Sequence, residues 1–273
     1  MGRDQGTVTS AEATLYYETR GDGPPLLLIQ GGLSEAGATH QLAEDLAREY
    51  TVISYDRRGL SRSTVVGEPA PVTMATHADD AATLLTALTS EPAHVVGPSI
   101  GAVIGLSLVV RHPDRVAVLV AHEPPMASLV REPDREARLD EVAALARTDP
   151  GAAMRAFVAL GGDREDPQEP GAGPAPAVGD LAANVRRFFA WDFPAVRAAT
   201  LDLDQLNDVR GAPLIIPTGG EHSRGQWEYR CAEQLAAELD RTLVELPGGH
   251  NGLISHPWAT AEALRGLFTE SPA

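Results

Sequence analysis

The chain has 273 residues, is 43% hydrophobic and 22% charged, and carries a formal net charge of -16 with a pI of about 4.8. That length and composition describe a globular protein with a sizeable core in one large domain, with room for an insertion. The acidic balance argues against a uniformly basic nucleic-acid surface and against docking on anionic membranes, while the single cysteine, Cys231, excludes an internal disulfide and fits a reduced, cytoplasmic setting.

The N-terminal "MGRDQGTVTSAEA" contains no apolar run, so a cleaved secretory leader is not expected. Ala13 to Thr19 reads as an edge strand, and "GDGPP" as a turn. Leu26 to Gln30 is almost wholly apolar, which suits a central strand covered on both faces. "QLAEDLAREYTVISYDRRG" supplies a helix and then a strand, Tyr50 to Tyr55. "MATHADDAATLLTALTSEPAHVVG" and "GAVIGLSLVVRHPDRVAVLVAHEPP" repeat that order. The uncharged stretch from Ala93 to Val110 has the nominal length of a membrane span, but Gly97 and Pro98 interrupt it early. It reads as a buried strand, a turn and a buried helix.

After Pro125 the rhythm changes. Two helix-like regions, Arg135 to Leu160 and Leu181 to Ala199, flank "GGDREDPQEPGAGPAPAVG", whose glycine, proline and acid content reads as an exposed or mobile loop. The strand–helix order returns in "GAPLIIPTGG", "QWEYRCAEQLAAEL" and "RTLVELPGG". The expected layout is an α/β core in two parts, residues 1–126 and 208–273, with a helical cap insertion over 127–207. In "RRFFAWDFP", the rings of Phe188, Phe189 and Trp191 suit either a pocket wall or the insertion's own core. Cys231 lies in a helix-like stretch and reads as structural.

Ligands of parallel α/β sheets sit beyond the carboxyl ends of the strands, and the chemically interesting residues fall there: Gln30 and its glycines, Asp56, Ser99 and Glu123. In "VVGPSIG", Ser99 stands between a strand-like run and a helix-like run. Gly97 and Gly101 leave room for a tight turn that would lift the hydroxyl above the sheet and bring the Ile100 N–H near a substrate oxygen. A structural serine is the other reading of that stretch. A serine nucleophile needs a base. His250 in "PGGHNG" follows an apolar strand and a turn that can return it to a strand end, whereas His256 precedes Pro257 and flanks the last helix. "IQGG" places Gly32 as a second backbone donor for an oxyanion, with Leu33 as its rival and Gln30 shaping the loop.

In that order, "IQGG", "YDRRGLSRS", "VVGPSIG" and "PGGHNG" resemble the α/β-hydrolase family over nearly the whole chain except the cap. The resemblance implies an eight-stranded, mostly parallel central sheet flanked by helices, a Ser–His–acid catalytic triad, and hydrolysis of an ester or related acyl bond. Asp56 and Arg57 resemble scaffold residues of the family. Many members have histidine where Gln30 stands. The family's commonest acid position holds Ser223 here. Glu221 lies nearby, but the family's other placement, after the preceding strand, falls on Glu123. The triad implied is therefore Ser99, His250 and Glu123, with Glu221 as the alternative acid and with Ile100 and Gly32 forming the oxyanion hole.

These readings together describe a serine hydrolase, of esterase, lactonase or thioesterase type, acting on a small to medium, partly apolar molecule. An acyltransferase, a lyase or a cofactor-free enzyme of the same fold, and a catalytically silent ligand-binding protein, are the alternatives. No cofactor is expected: the chain has neither a G-x-x-x-x-G-K-[ST] loop nor a G-x-G-x-x-G spacing. His112, His122, His222, His250 and His256 form no compact ligand set in sequence, so no metal is expected either. Nothing in the sequence sets an oligomeric state.

Overall fold

The computed structural model describes residues 3–67, 71–161, 166–173, 179–201, 205–206 and 213–269. The first part of the core runs β1 (Arg3–Ser10), β2 (Ala13–Arg20), β3 (Pro25–Leu28), α1 (His40–Leu46), β4 (Thr51–Tyr55), β5 (Thr64–Val65), α2 (Met74–Leu88), β6 (Ala93–Pro98), α3 (Ile100–Arg111) and β7 (Val116–His122). Then come α4 (Pro133–Ala146), α5 (Pro150–Ala159), α6 (Leu181–Arg187) and α7 (Phe193–Arg197). The core resumes with β8 (Leu214–Gly220), α8 (Trp227–Glu238), β9 (Val244–Leu246), α9 (Gly252–Ser255) and α10 (Pro257–Thr269).

The strands form one sheet in the order β1-β2-β4-β3-β6-β7-β8-β9, with β5 paired to β2. From β4 to β9 every pairing is parallel; β1, β2 and β5 join antiparallel. The expected α/β architecture with a mostly parallel sheet is what the chain adopts. Period-two alternation splits the apolar strands between two faces. Leu27, Val95 and Leu119 point to the α2–α3 side, and Leu26, Val96 and Val120 to the α1–α10 side. Helix α3 is apolar around most of its circumference because it is buried along most of its length. The run Ala93 to Val110 is thus strand, turn and helix, and among the described residues no helix is long and apolar enough to cross a membrane.

Two expectations change, and a third gains detail. Ala13 to Thr19 is not an edge strand, because β1 pairs along its outer side from Arg3↔Arg20 to Ser10↔Ala13. The sequence of β1, "RDQGTVTS", is polar and largely exposed, so it carries little core signal. Arg135 to Leu160 is two helices: Asp149 caps α5 by accepting from the Ala152 N–H, and Pro150 occupies its first turn. The segment expected to be an exposed or mobile loop is, over 166–173, an irregular loop with no buried residue, and it is tied to the core there. The Glu169 carboxylate accepts from the Trp258 and Ala259 N–H groups at the start of α10, and Gln41 bonds to Gly171 and Gly173. Its remaining residues, 162–165 and 174–178, lie outside the described ones, as does the expected boundary at 207–208.

Between α6 and α7 the helix widens into a π turn over Phe188–Asp192. This re-aims the chain so that Asp192 is fully buried against the core while Phe188 and Phe193 pack with Phe157 among the inserted helices.

Candidate active site

The sharp turn at Ser99 follows from its two neighbours. A Cβ at Gly97 would lie 2.3 Å from the Gly101 carbonyl oxygen, and one at Gly101 would lie 2.2 Å from that of Ile29. With both glycines in place, β6 passes directly into α3, and Ser99 adopts φ 55°, ψ −126°. Left-handed φ is costly for a non-glycine residue and is retained mainly where geometry is needed. Glu123, at the end of the adjacent strand β7, shares it with φ 49°. Ile100 opens α3, so its N–H has no carbonyl one turn back to bond.

The two strand ends are stitched together. The Ser99 N–H donates to the His122 carbonyl at 2.8 Å, and the Glu123 N–H donates to the Thr218 carbonyl at 3.0 Å. Glu123 is wholly buried. Its Oε2 lies 2.7 Å from His250 Nδ1; its Oε1 accepts from the Gly220 N–H at 2.8 Å and from the Ser223 hydroxyl. Burial pushes the Glu123 carboxyl up, but the His250 hydrogen bond, the neighbouring His122 and the Gly220 N–H outweigh it and hold it down at about 2. His122 is itself buried between Thr218 Oγ1 at 3.2 Å and the Gly249 carbonyl at 3.3 Å, which fixes the residue before His250. Glu221 occupies an exposed turn after β8.

Opposite Ser99 lies the loop after β3. A Cβ at Gly31 would meet the Pro98 carbonyl at 3.2 Å and Ser99 Cβ at 3.5 Å, so this loop sits close against the serine turn. Gly32 takes φ +40°. The buried Gln30 amide donates to Thr39 Oγ1 at 2.8 Å, and both residues line the cavity beside Ser99. The loop's carbonyls are held by Arg57, whose guanidinium donates to Gln30 O at 2.6 Å and to Gly32 O. Arg57 is fully buried and pairs with Asp192 at 3.0 Å; Asp192 also receives Arg187 and contacts His77 at 2.8 Å. Burial raises the Asp192 carboxyl, yet Arg57, Arg187 and His77 hold it well below the usual carboxylate range. Asp56 accepts from the Ala36 N–H at 2.7 Å and from Arg62, as a scaffold residue would.

Ser99, Ile100, Gly32, Leu33 and His250 line one cavity of about 900 Å³. The inserted helices supply much of its apolar wall through Leu139, Met154, Phe157, Phe188 and Val196. The ambiguous aromatics therefore divide: Phe188 serves both pocket wall and helical core, Phe189 packs in that core, and Trp191 lies against Arg187 and Gly59. Arg135 enters the cavity lining, paired with Glu228 at 2.7 Å and set 4.2 Å over the Trp227 ring. Cys231 is buried outside that lining, and burial pushes its thiol up to about 12, which suits a structural thiol.

The fold thus brings Ser99, His250, Glu123, Ile100 and Gly32 to one place and leaves Glu221 outside it. Sequence reasoning missed the roles of Asp192 and Ser223. Ser223 had a signal, since a hydroxyl at the family's acid position is well placed to bond a carboxylate arriving from the preceding, neighbouring strand. Of the five histidines considered as metal ligands, only His222 and His256 converge on a shared acid, Asp166, away from the cavity.

A sequence model of the alpha/beta hydrolase fold matches residues 24–174. A Bacillus subtilis (strain 168) protein named uncharacterized hydrolase YraK is 34% identical over 270 residues, which is 98% of this chain and 97% of that protein. Among solved structures, an alpha/beta hydrolase from Sphaerobacter thermophilus DSM 20745 superposes with a TM-score of 0.71 at 25% identity, covering 96% of this chain and all of that one. A thermophilic esterase from Thermogutta terrifontis gives a TM-score of 0.75 at 20% identity over 99% of this chain and 100% of that one, a likeness of fold alone. The chain belongs to the alpha/beta hydrolase fold family.

Proposed function

We propose that this hydrolase cleaves an ester, lactone or related acyl bond of a small to medium, partly apolar molecule through a Ser99–His250–Glu123 triad. The observation that carries the reading is the 2.7 Å contact between His250 Nδ1 and the buried Glu123 carboxylate, on the wall of the cavity onto which Ser99 opens. Glu123 keeps the proton of His250 on Nδ1, so Nε2 is free to accept one. Nε2 takes the Ser99 proton as Oγ attacks the substrate carbonyl carbon. The resulting oxyanion receives the N–H groups of Ile100 and Gly32; the carbonyl of the peptide that carries the Gly32 N–H, Gly31 O, accepts from the Ser34 N–H at 2.9 Å, and Arg57 holds the carbonyls on either side of it, those of Gln30 and Gly32. Imidazolium Nε2–H then protonates the leaving group, and the same nitrogen activates water to release the acid from Ser99.

The size and apolar wall of the cavity support a substrate with a modest hydrophobic body rather than a polymer. The test is turnover of p-nitrophenyl esters of graded chain length, together with lactones, thioesters and carbamates, by wild type and by Ser99→Ala. Saturable turnover that Ser99→Ala abolishes is expected. Equal rates from the two proteins across the panel, with saturable binding but no conversion, would replace the hydrolase reading with a silent binding protein.

A further inference from the structure

Outside the cavity, three chain segments remote in sequence meet at one point. Asp166 comes from the anchored part of the insertion, His222 from the turn after β8, and His256 from the junction of α9 and α10. One ligand-capable atom from each lies within 4.8 Å of the other two. Asp166 Oδ1 is 3.0 Å from His222 Nδ1 and 3.7 Å from His256 Nδ1. Donors held at about 2.0–2.1 Å around a tetrahedral ion stand roughly 3.3 Å apart, so the two Asp166–histidine distances need shifts of a few tenths of an ångström, and turning of the exposed His222 ring closes the remaining gap between the two histidine nitrogens. We propose that Asp166, His222 and His256 bind a divalent transition-metal ion of the Zn²⁺ class, which clasps the insertion and the β8 turn to the loop that carries His250.

The surroundings hold the carboxylate as metal sites hold their ligands. Asp166 Oδ2 accepts from the Ser255 hydroxyl at 2.6 Å, and Oδ1 accepts from the Gly249 N–H at 3.0 Å. Gly248 has φ +79°, and a Cβ there would sit 2.4 Å from His256 Nδ1, the nitrogen that also lies 2.9 Å from the Ser255 hydroxyl, a contact that yields when an ion takes that nitrogen. The two imidazoles stand 5.5 Å apart at 73° to one another, so they do not stack. Two imidazole nitrogens and one carboxylate suit zinc and its neighbours, whereas magnesium and calcium prefer all-oxygen sets. His222 is on the solvent side, which leaves a fourth position for water. None of the three residues lines the cavity, so the ion acts on the loop and not on the substrate. Gly249 immediately precedes His250, and its N–H is bonded to Asp166; occupancy therefore stiffens the loop at that point.

The proposal is independent of the activity, and its test reads binding. The full-length chain, stripped with chelator, is titrated with Zn²⁺ and separately with Mg²⁺ by calorimetry, and Tm is recorded with and without each ion. Expected are one Zn²⁺ per chain, a Tm that rises with Zn²⁺ concentration, and neither effect with Mg²⁺. Asp166→Asn and His222→Gln, checked for folding by circular dichroism, should each weaken Zn²⁺ binding by about tenfold or more. His112→Gln, on the far partner Asp79, should leave it unchanged. Absence of stoichiometric Zn²⁺ uptake by the folded wild-type chain, or uptake unaltered in both cluster variants, would overturn the site.

Discussion

Glu123→Gln separates a carboxylate that orients His250 from one that merely fills space. In the wild-type chain Oε1 already serves two donors, the Gly220 N–H and the Ser223 hydroxyl, while Oε2 faces His250 Nδ1. A glutamine amide has one oxygen. If that oxygen stays with Gly220 and Ser223, the NH₂ group points at Nδ1, and the ring must shift its proton to Nε2 to avoid two facing donors. Nε2 then has no lone pair for the Ser99 proton. If the amide turns over, its NH₂ faces the Gly220 N–H and one donor is left unpaired in a buried place. The expected loss in kcat/KM is about 10³- to 10⁴-fold by analogy with other triads, which is roughly 4–5 kcal/mol of transition-state stabilisation. Stability falls too. The carboxyl is held at about 2 against an ordinary 4.5, so removing its charge forfeits on the order of 3 kcal/mol at neutral pH. Glu221→Gln is the control: that side chain is exposed, and its replacement should change stability by no more than about 0.5 kcal/mol. The assay is kcat/KM on the best ester of the panel, with circular dichroism at a temperature where all variants are folded. Near-normal kcat/KM in folded Glu123→Gln together with collapse in folded Glu221→Gln would refute the reasoning.

Asp192→Asn should lower Tm sharply, because it leaves Arg57 and Arg187 buried without their carboxylate, a loss of about 3–5 kcal/mol; an unchanged Tm in thermal melts would deny the pairing. Gly101→Ala should yield little folded protein, since its Cβ would meet a backbone oxygen at 2.2 Å, whereas Gly105→Ala meets only the movable end of Leu119 at 2.5 Å and should cost about 1–3 kcal/mol. Equal expression and equal Tm for the two would contradict the packing argument. Stability should also fall in acid. Glu123 is depressed in the folded state, so the unfolded chain binds the proton first; its contribution is complete above the ordinary value of 4.5 and is lost as pH falls through about 2. Denaturant melts from pH 6 to pH 2 should show that loss in wild type and a shallower one in Glu123→Gln, and parallel curves would count against it.

Much of the core was legible because its signals are local. Runs such as "PLLLIQ" and "HVVGP" suit strands buried on both faces, and the glycines around Ser99 mark a turn whose reason is the backbone atoms that a methyl group on either would strike. Glu123 was legible as the residue just past a central strand. What escaped depends on contacts between distant segments. The polar β1 gains its place from pairing with β2, not from its own pattern. The π turn that drives Asp192 onto Arg57 has no sequence period to announce it, and the ties of Glu169 to the start of α10 make an acidic, glycine-rich stretch hold to the core. Asp166, His222 and His256 lie too far apart in the chain for any spacing rule to join them.

The central claim is that Ser99 is a nucleophile activated by His250. It is tested most directly by treating the folded chain with a fluorophosphonate at neutral pH and mapping the adduct by peptide mass spectrometry. The account predicts one phosphonyl group per chain, on the peptide containing Ser99, with labelling lost in Ser99→Ala and strongly slowed in His250→Gln. No adduct on Ser99 of the folded wild-type chain, or labelling equally fast in His250→Gln, would contradict it.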